Sequence, residues 1–418
     1  MRALSSLIAL MVSFSWLTAS GQTTPSPSPA TAELPSIAPA STPQAPAAQS
    51  ASPVSPAAPA SPAAPVVPAS PASPVPSAPH APASAPASQV SPSPLGQPTG
   101  SVAELVEERP ASIEEAVRLQ VYLDSKNFGP GVIDGKPGRF TTQAIQAYNT
   151  SLGRYADDWA SVMKEAAVAV TSPYATAIIP EVAKNYVDPT LSYKRPAQAQ
   201  AKMMSYRSMA EFIAERYHTT PEFLKEINGH SYMNNAGPRT TVKVPNVHPF
   251  KIEDLKHGRM HRGNPQLQAR HIIVDTKVNM ISFYERQLIE KGGEFDNHTV
   301  EVKMQLVAAF PITPGQEKFI ERGMWNVKNS IELPTWRYDQ QFLDTGVRGK
   351  EALTIPFGPN NPVGVIWTGL TKSGIGIHGT DSPHTIGRAR SAGCIRMANW
   401  DAVRVPQLAG VGSVVEIR

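Results

Sequence analysis

The chain has 418 residues, 42 of them proline and more than half of those before residue 100, which excludes a uniformly globular protein. A formal net charge of +4 with a pI near 9.0 defines no partner, and without a run of Lys and Arg interleaved with aromatics no nucleic acid is expected as one. A single cysteine, Cys394, can neither close an intrachain disulfide nor supply a thiolate cluster, so no disulfide scaffold, metal or other cofactor is expected.

Met1-Arg2 is a short basic start, Ala3 to Leu17 an apolar run broken by serines, and Ala19-Ser-Gly21 a set of small residues suited to cleavage. Residues 1–21 therefore read as a secretory signal peptide, too short in its apolar run for a transmembrane helix. The expected location is the periplasm or cell envelope; left uncleaved, the same segment would hold the chain at an inner or outer membrane surface. In an oxidising compartment an unpaired thiol is better explained by reactivity than by packing. Residues 22–100 are rich in Pro, Ala and Ser, with almost no aromatics and little charge. Such a segment cannot bury a core and is expected to be a disordered linker, reaching on the order of 200 Å when extended.

Folded sequence is expected from residue 101. In residues 101–155, Ile113 to Leu123 has helical apolar spacing with Ser112 as N-cap, Asn127 to Gly138 is a glycine-rich turn, and Thr141 to Tyr148 restarts a helix. Residues 156–202 show only some helix and a connector. Residues 203–248 hold two amphipathic helices, Met209 to Tyr217 and Pro221 to Asn228, and a short strand, Thr241 to Pro245.

Residues 268–418 change period to strands: His271 to Asp275, Met280 to Tyr284, Gln305 to Ile312 and Gly364 to Thr368. Many short strands with little helix predict a mainly-β, sandwich-like domain. Residues 335–350 interrupt it as a surface loop or as a wall over a cleft. Near the end, Asn399 is the expected cap of a short helix through Val405, stopped by Pro406 and Gly410, whose start would favour a thiolate on Cys394.

The chemistry concentrates in Gly374-Ile-Gly-Ile-His-Gly-Thr380 and Ser391-Ala-Gly-Cys-Ile-Arg-Met397. A thiol nucleophile needs a nearby imidazole to take its proton, and flanking glycines let a substrate approach the backbone. Cys394 and His378 fit those roles, and the N–H groups of Gly393 and Cys394 are candidates to hold an oxyanion. Taken alone the pair also admits a plainer reading, a small buried hydrophobe beside a satisfied histidine. Arg396 either binds a substrate carboxylate or braces the loop. His384 reads as a loop residue.

Ile377-His-Gly-Thr380, Ile386-Gly387 and Ser391-Ala-Gly-Cys-Ile-Arg-Met397 resemble the signature of the bacterial L,D-transpeptidase catalytic domain, as do Gly323-Met-Trp325 and Pro359 to Trp367. The family often has a second histidine where this chain has Ala392; the His-Gly-Thr histidine is its usual base, here His378. The resemblance implies a β-sandwich catalytic domain in which Cys394 takes an acyl group from a peptidoglycan stem tetrapeptide, releases D-alanine, and passes it to an amine in cell-wall biogenesis that also bears on cell shape. It implies Ser391, Gly393, Gly379 and Thr380 as oxyanion or supporting groups. Leu119-Gln120, Gly131-Val-Ile-Asp-Gly135, Thr142 and Ala144 resemble a small helical peptidoglycan-binding module, and residues 203–248 a degenerate LysM module lacking its usual Gly-Asp-Thr opening, which adds glycan to the expected partners. The rivals are a non-catalytic peptidoglycan-binding scaffold and an L,D-carboxypeptidase that uses water as acceptor. A wall cysteine endopeptidase would place its cysteine before its histidine, and a sortase would separate the two more widely.

Overall fold

The computed structural model describes residues 109–418 except 292–298, 318, 346 and 389–392. The expected signal peptide and linker, residues 1–100, lie outside the described residues.

Helices α1 (Ile113–Ser125), α2 (Arg139–Ser151) and α3 (Trp159–Ala169) come first. Ser112 caps α1 by accepting the Glu115 N–H at 3.1 Å. The turn between α1 and α2 passes through Gly135 at φ +69°, where a Cβ would meet Ile113 Cγ2 at 2.5 Å, so only glycine fits. Gln120 Oε1 fastens that turn by accepting the N–H groups of Asp134 and Gly135. α3 falls where the sequence showed no clear pattern. It buries Trp159, Val162 and Ala166, and the core they join extends to Leu306 and Ala309 in a later strand.

Next come β1 (Tyr174–Ile178), α4 (Arg195–Gln198), α5 (Met209–Arg216), α6 (Pro221–Asn228), α7 (His230–Asn234) and β2 (Thr241–Pro245). Ser208 and Thr220 cap α5 and α6. β1 pairs antiparallel with β2 from Tyr174↔Pro245 to Ile178↔Thr241. The partner strand thus comes from ahead of residue 203, because backbone pairing over this separation leaves no local trace in sequence.

The remaining elements are α8 (Pro265–Gln268), β3 (His271–Asp275), β4 (Met280–Lys291), β5 (Thr299–Pro311), β6 (Gly323–Glu332), β7 (Trp336–Tyr338), α9 (Gln340–Thr345), β8 (Leu353–Ile355), β9 (Ile366–Leu370), β10 (Gly376–His378), β11 (Ile395–Arg396), α10 (Asn399–Ala402), α11 (Val405–Leu408) and β12 (Val414–Ile417). Eight strands form one hydrogen-bonded sheet in the order β11-β10-β9-β6-β12-β3-β4-β5, with β10/β11 and β12/β3 parallel and the other pairs antiparallel. The mainly-β domain expected from the sequence is thus built on one large mixed sheet. The reason is β6: its first half pairs with β12 (Gly323↔Ile417 to Asn326↔Val414), and its second half pairs with β9 (Val327↔Leu370 to Glu332↔Ile366). A bulge between Val327 and Asn329 bends the strand between its two partners, so one strand joins what would otherwise be two sheets.

Residues 335–350 are not a bare loop. β7 pairs with β8 as a separate two-stranded sheet and α9 lies between them.

Candidate active site

Parallel pairing of β10 with β11 sets the geometry. Ile377 is opposite Ile395 and His378 opposite Arg396, so Cys394, two residues before Arg396, comes to the face that carries His378. All three line one cavity of about 520 Å³. The β7–α9–β8 insert forms part of its wall, contributing Trp336, Tyr338 and Phe342, so the expected choice between loop and wall resolves to a wall.

His378 is buried at 4 % exposure. Its Nδ1 lies 2.6 Å from the Gly379 carbonyl oxygen, and its ring stacks on Trp367 at 5.5 Å between centroids and 19° between planes. A carbonyl only accepts, so Nδ1 carries the proton and Nε2 is left as the basic nitrogen. Gly376 makes room for this stack: a Cβ there would stand 2.7 Å from Trp367 Cζ2. Burial pushes the imidazole down to about 4, helped by the nearby Arg396 charge and opposed by the Gly379 bond.

Cys394 is half-buried, with Sγ 3.5 Å from the Gly374 carbonyl oxygen. Burial pushes its thiol up to about 11, against the Gly376 N–H and the Arg396 charge, which favour thiolate. The expected help from a helix start is therefore overruled. α10 has only four residues, its N-cap is Ala398, and Pro406 sits in the first turn of α11 rather than ending a helix. Burial thus favours the neutral form of both groups.

Gly393 adopts φ +123°, a conformation open to glycine. Its backbone fills the space beside Gly315, where a Cβ would meet Gly393 Cα at 2.4 Å. Arg396 is half-buried, lines the cavity, and acts electrostatically on both Cys394 and His378. Thr380 is buried, but its N–H donates to Asn399 Oδ1 and its hydroxyl accepts from the Ser382 N–H; the imidazole is held by Gly379 instead. Ser391 lies outside the described residues. His384 sits exposed in a 3-10 turn and does not line the cavity.

Three further residues have roles that sequence reasoning did not assign. Trp367 supplies the stack. Asn399, expected as a cap, is fully buried and instead accepts the N–H groups of Val365 and Thr380 at 3.1 and 3.2 Å, which fixes the loop behind His378. Its Nδ2 donates to Glu215 Oε1 at 2.6 Å, so α5 is tied directly to that loop. Glu215 was legible in principle, as a charged residue three positions from Phe212 on the buried face of an amphipathic helix.

Glu215 gives a pH prediction. Burial pushes its carboxyl up to about 8, although hydrogen bonds from Tyr206 and Asn399 favour the charged form. An unfolded glutamate ionises near pH 4.3, roughly. Between that value and 8 the unfolded chain sheds a proton that the folded chain keeps, so this group's contribution to stability falls as pH rises through the window and levels off above it. Glu215→Gln keeps an acceptor for Asn399 and removes the ionisation. Urea unfolding should find it more stable than wild type at pH 8 by on the order of 3 kcal/mol, the gap closing by pH 4.5 or so. A gap independent of pH would show that Glu215 is charged in the folded protein.

Comparison with known proteins places residues 185–417 in a match to the YkuD family, described as the L,D-transpeptidase catalytic domain. The chain is 44 % identical over 59 residues to the "Putative L,D-transpeptidase YkuD" of Bacillus subtilis (strain 168), covering 14 % of this chain and 36 % of the relative. It is 34 % identical over 128 residues to the "Probable L,D-transpeptidase ErfK/SrfK" of Escherichia coli (strain K12), covering 29 % of this chain and 38 % of the relative. The chain thus spans under two fifths of the length of these relatives. Among solved structures, L,D-transpeptidase 3 from Mycobacterium tuberculosis in complex with a faropenem-derived adduct aligns with TM-score 0.26 and 13 % identity over 44 % of this chain and 76 % of that chain, a likeness too slight to argue from.

Proposed function

Because this chain belongs to the YkuD family of L,D-transpeptidase catalytic domains, we propose that it transfers an acyl group through Cys394, from a peptidoglycan stem tetrapeptide to an amine acceptor. The observation that carries the reading is the placement of Cys394, His378 and Arg396 on one face of β10 and β11, at a cavity large enough for a peptide.

Burial favours the neutral pair, so the thiol proton moves to His378 Nε2 as sulfur attacks the donor carbonyl. The Gly379 carbonyl, already bonded to Nδ1, steadies the imidazolium that forms. Backbone N–H groups at Gly393 and Cys394 hold the tetrahedral oxyanion, a donor of this kind being worth about 3 to 4 kcal/mol in barrier height. Collapse breaks the amide, and the imidazolium returns its proton to the leaving D-alanine amine. An acceptor amine then attacks the thioester; its proton passes through His378 back to sulfur. The setting we infer is the periplasm or cell envelope, supported by the signal-like residues 1–21 and the lone thiol, with stem peptides and glycan as partners.

Intact-protein mass spectrometry with tetrapeptide muropeptides tests this. Wild type should gain the donor mass less D-alanine on Cys394, and Cys394→Ala should gain nothing. A folded, reduced wild-type protein that forms neither adduct nor product would sink the enzyme reading in favour of a wall-binding scaffold.

A further inference from the structure

Resting on that reading, we propose that Arg195 and Arg348 select the donor, by binding carboxylates of the stem peptide in the cavity they share with Cys394, so that donors with free side-chain acids are used in preference to amidated ones.

The cavity is strongly one-signed. Four arginines line it, each from a different segment: Arg195 on α4, Arg337 on β7, Arg348 after α9, and Arg396 on β11. Among the described residues that line it, Asp339 is the only acid. That carboxylate is already engaged: it accepts the N–H groups of Phe342 and Gly349 at 3.0 to 3.1 Å and lies 3.7 Å from Arg337 Nη1. Arg337 is thereby answered, whereas Arg195, Arg348 and Arg396 have no acidic partner among the described residues.

Rings hold the two selecting guanidiniums. Arg195 Cζ lies 5.4 Å from the Trp336 ring centroid and 5.7 Å from that of Tyr338, and its Nη1 donates to Gln198 Oε1 at 2.7 Å. Arg348 Cζ lies 4.2 Å from the Phe342 centroid. Packing of a guanidinium against aromatic rings limits its motion without neutralising it and leaves N–H edges for bidentate contact with a carboxylate. The cavity thus has two ring-packed cations without an acidic partner among the described residues, in addition to Arg396, which acts on the reacting groups. A cluster of like charge is repulsive when empty, and an incoming acid relieves that repulsion. Arg195 also lies far from the signature residues, so a segment before the sheet takes part in choosing the substrate.

The test uses the full chain and two synthetic tetrapeptide donors ending in D-alanine, one with its side-chain carboxyls free and one with them as carboxamides. Acylation of Cys394 is followed by intact mass at varied donor concentration. Wild type should favour the free acid by about 10- to 100-fold in kcat/KM, the range for hydrogen bonds to a charged group. In Arg195→Gln/Arg348→Gln the ratio should fall to near one, chiefly through KM, and Arg195→Lys/Arg348→Lys should recover part of it. Melting temperatures matching wild type keep a loss of fold from being read as a loss of selection. Equal use of both donors by wild type, or an unchanged ratio in the glutamine variant, overturns the inference while leaving the transpeptidase reading intact. Failure of wild type to be acylated by either donor overturns both.

Discussion

His378→Gln is expected to slow acylation of Cys394 by about two to four orders of magnitude, the usual contribution of a general base. The size of the effect follows from the charge state. Burial holds the imidazole down to about 4 and the thiol up to about 11, which favours a neutral pair and leaves little thiolate for the reaction to draw on. Base removal therefore strikes the step itself. The same state is visible without substrate: alkylation of wild-type Cys394 by iodoacetamide should climb roughly tenfold per pH unit toward 11. A plateau reached by neutral pH would mean that thiolate and imidazolium form an ion pair at rest. In that case His378→Gln would instead lower the alkylation rate at pH 7.

Gly379→Ala should cost several kcal/mol of stability and most of the activity. An ideal Cβ at 379 would sit 2.0 Å from Asn399 Oδ1 and 3.1 Å from Gly364 Cα. Neither neighbour can yield cheaply. Asn399 Oδ1 is the acceptor for Val365 and Thr380, and Gly364, at φ +62°, would itself bring a Cβ within 2.2 Å of the same oxygen. Two buried N–H groups would lose their acceptor at about 1 to 3 kcal/mol each, and the carbonyl that orients His378 would move with them. Asn399→Ala by itself should be destabilising through those same groups, yet it removes the obstacle. The double variant should thus be less impaired than the sum of the singles, by on the order of 1 kcal/mol or more in urea unfolding. Strict additivity would show that the alanine methyl is accommodated elsewhere.

The sequence by itself picked out the candidate site of this protein more fully than its architecture. Cys394, His378 and Arg396 stand in one local pattern, and the strands His271 to Asp275 and Gln305 to Ile312 were legible because alternation and β-branched runs are short-range properties. The cap Ser112 was readable for the same reason, since a cap bonds only two or three residues ahead. Tertiary structure decided what depends on distant partners. It joined the strands into one sheet through the two halves of β6, brought β1 from ahead of residue 203 to β2, and set Glu215 against Asn399 across 184 residues. It also set burial, which pushes the Cys394 thiol up, against the helix start expected to favour thiolate, because desolvation is a property of everything packed around sulfur, whereas the pattern that singles out the cysteine lies within a few residues of it.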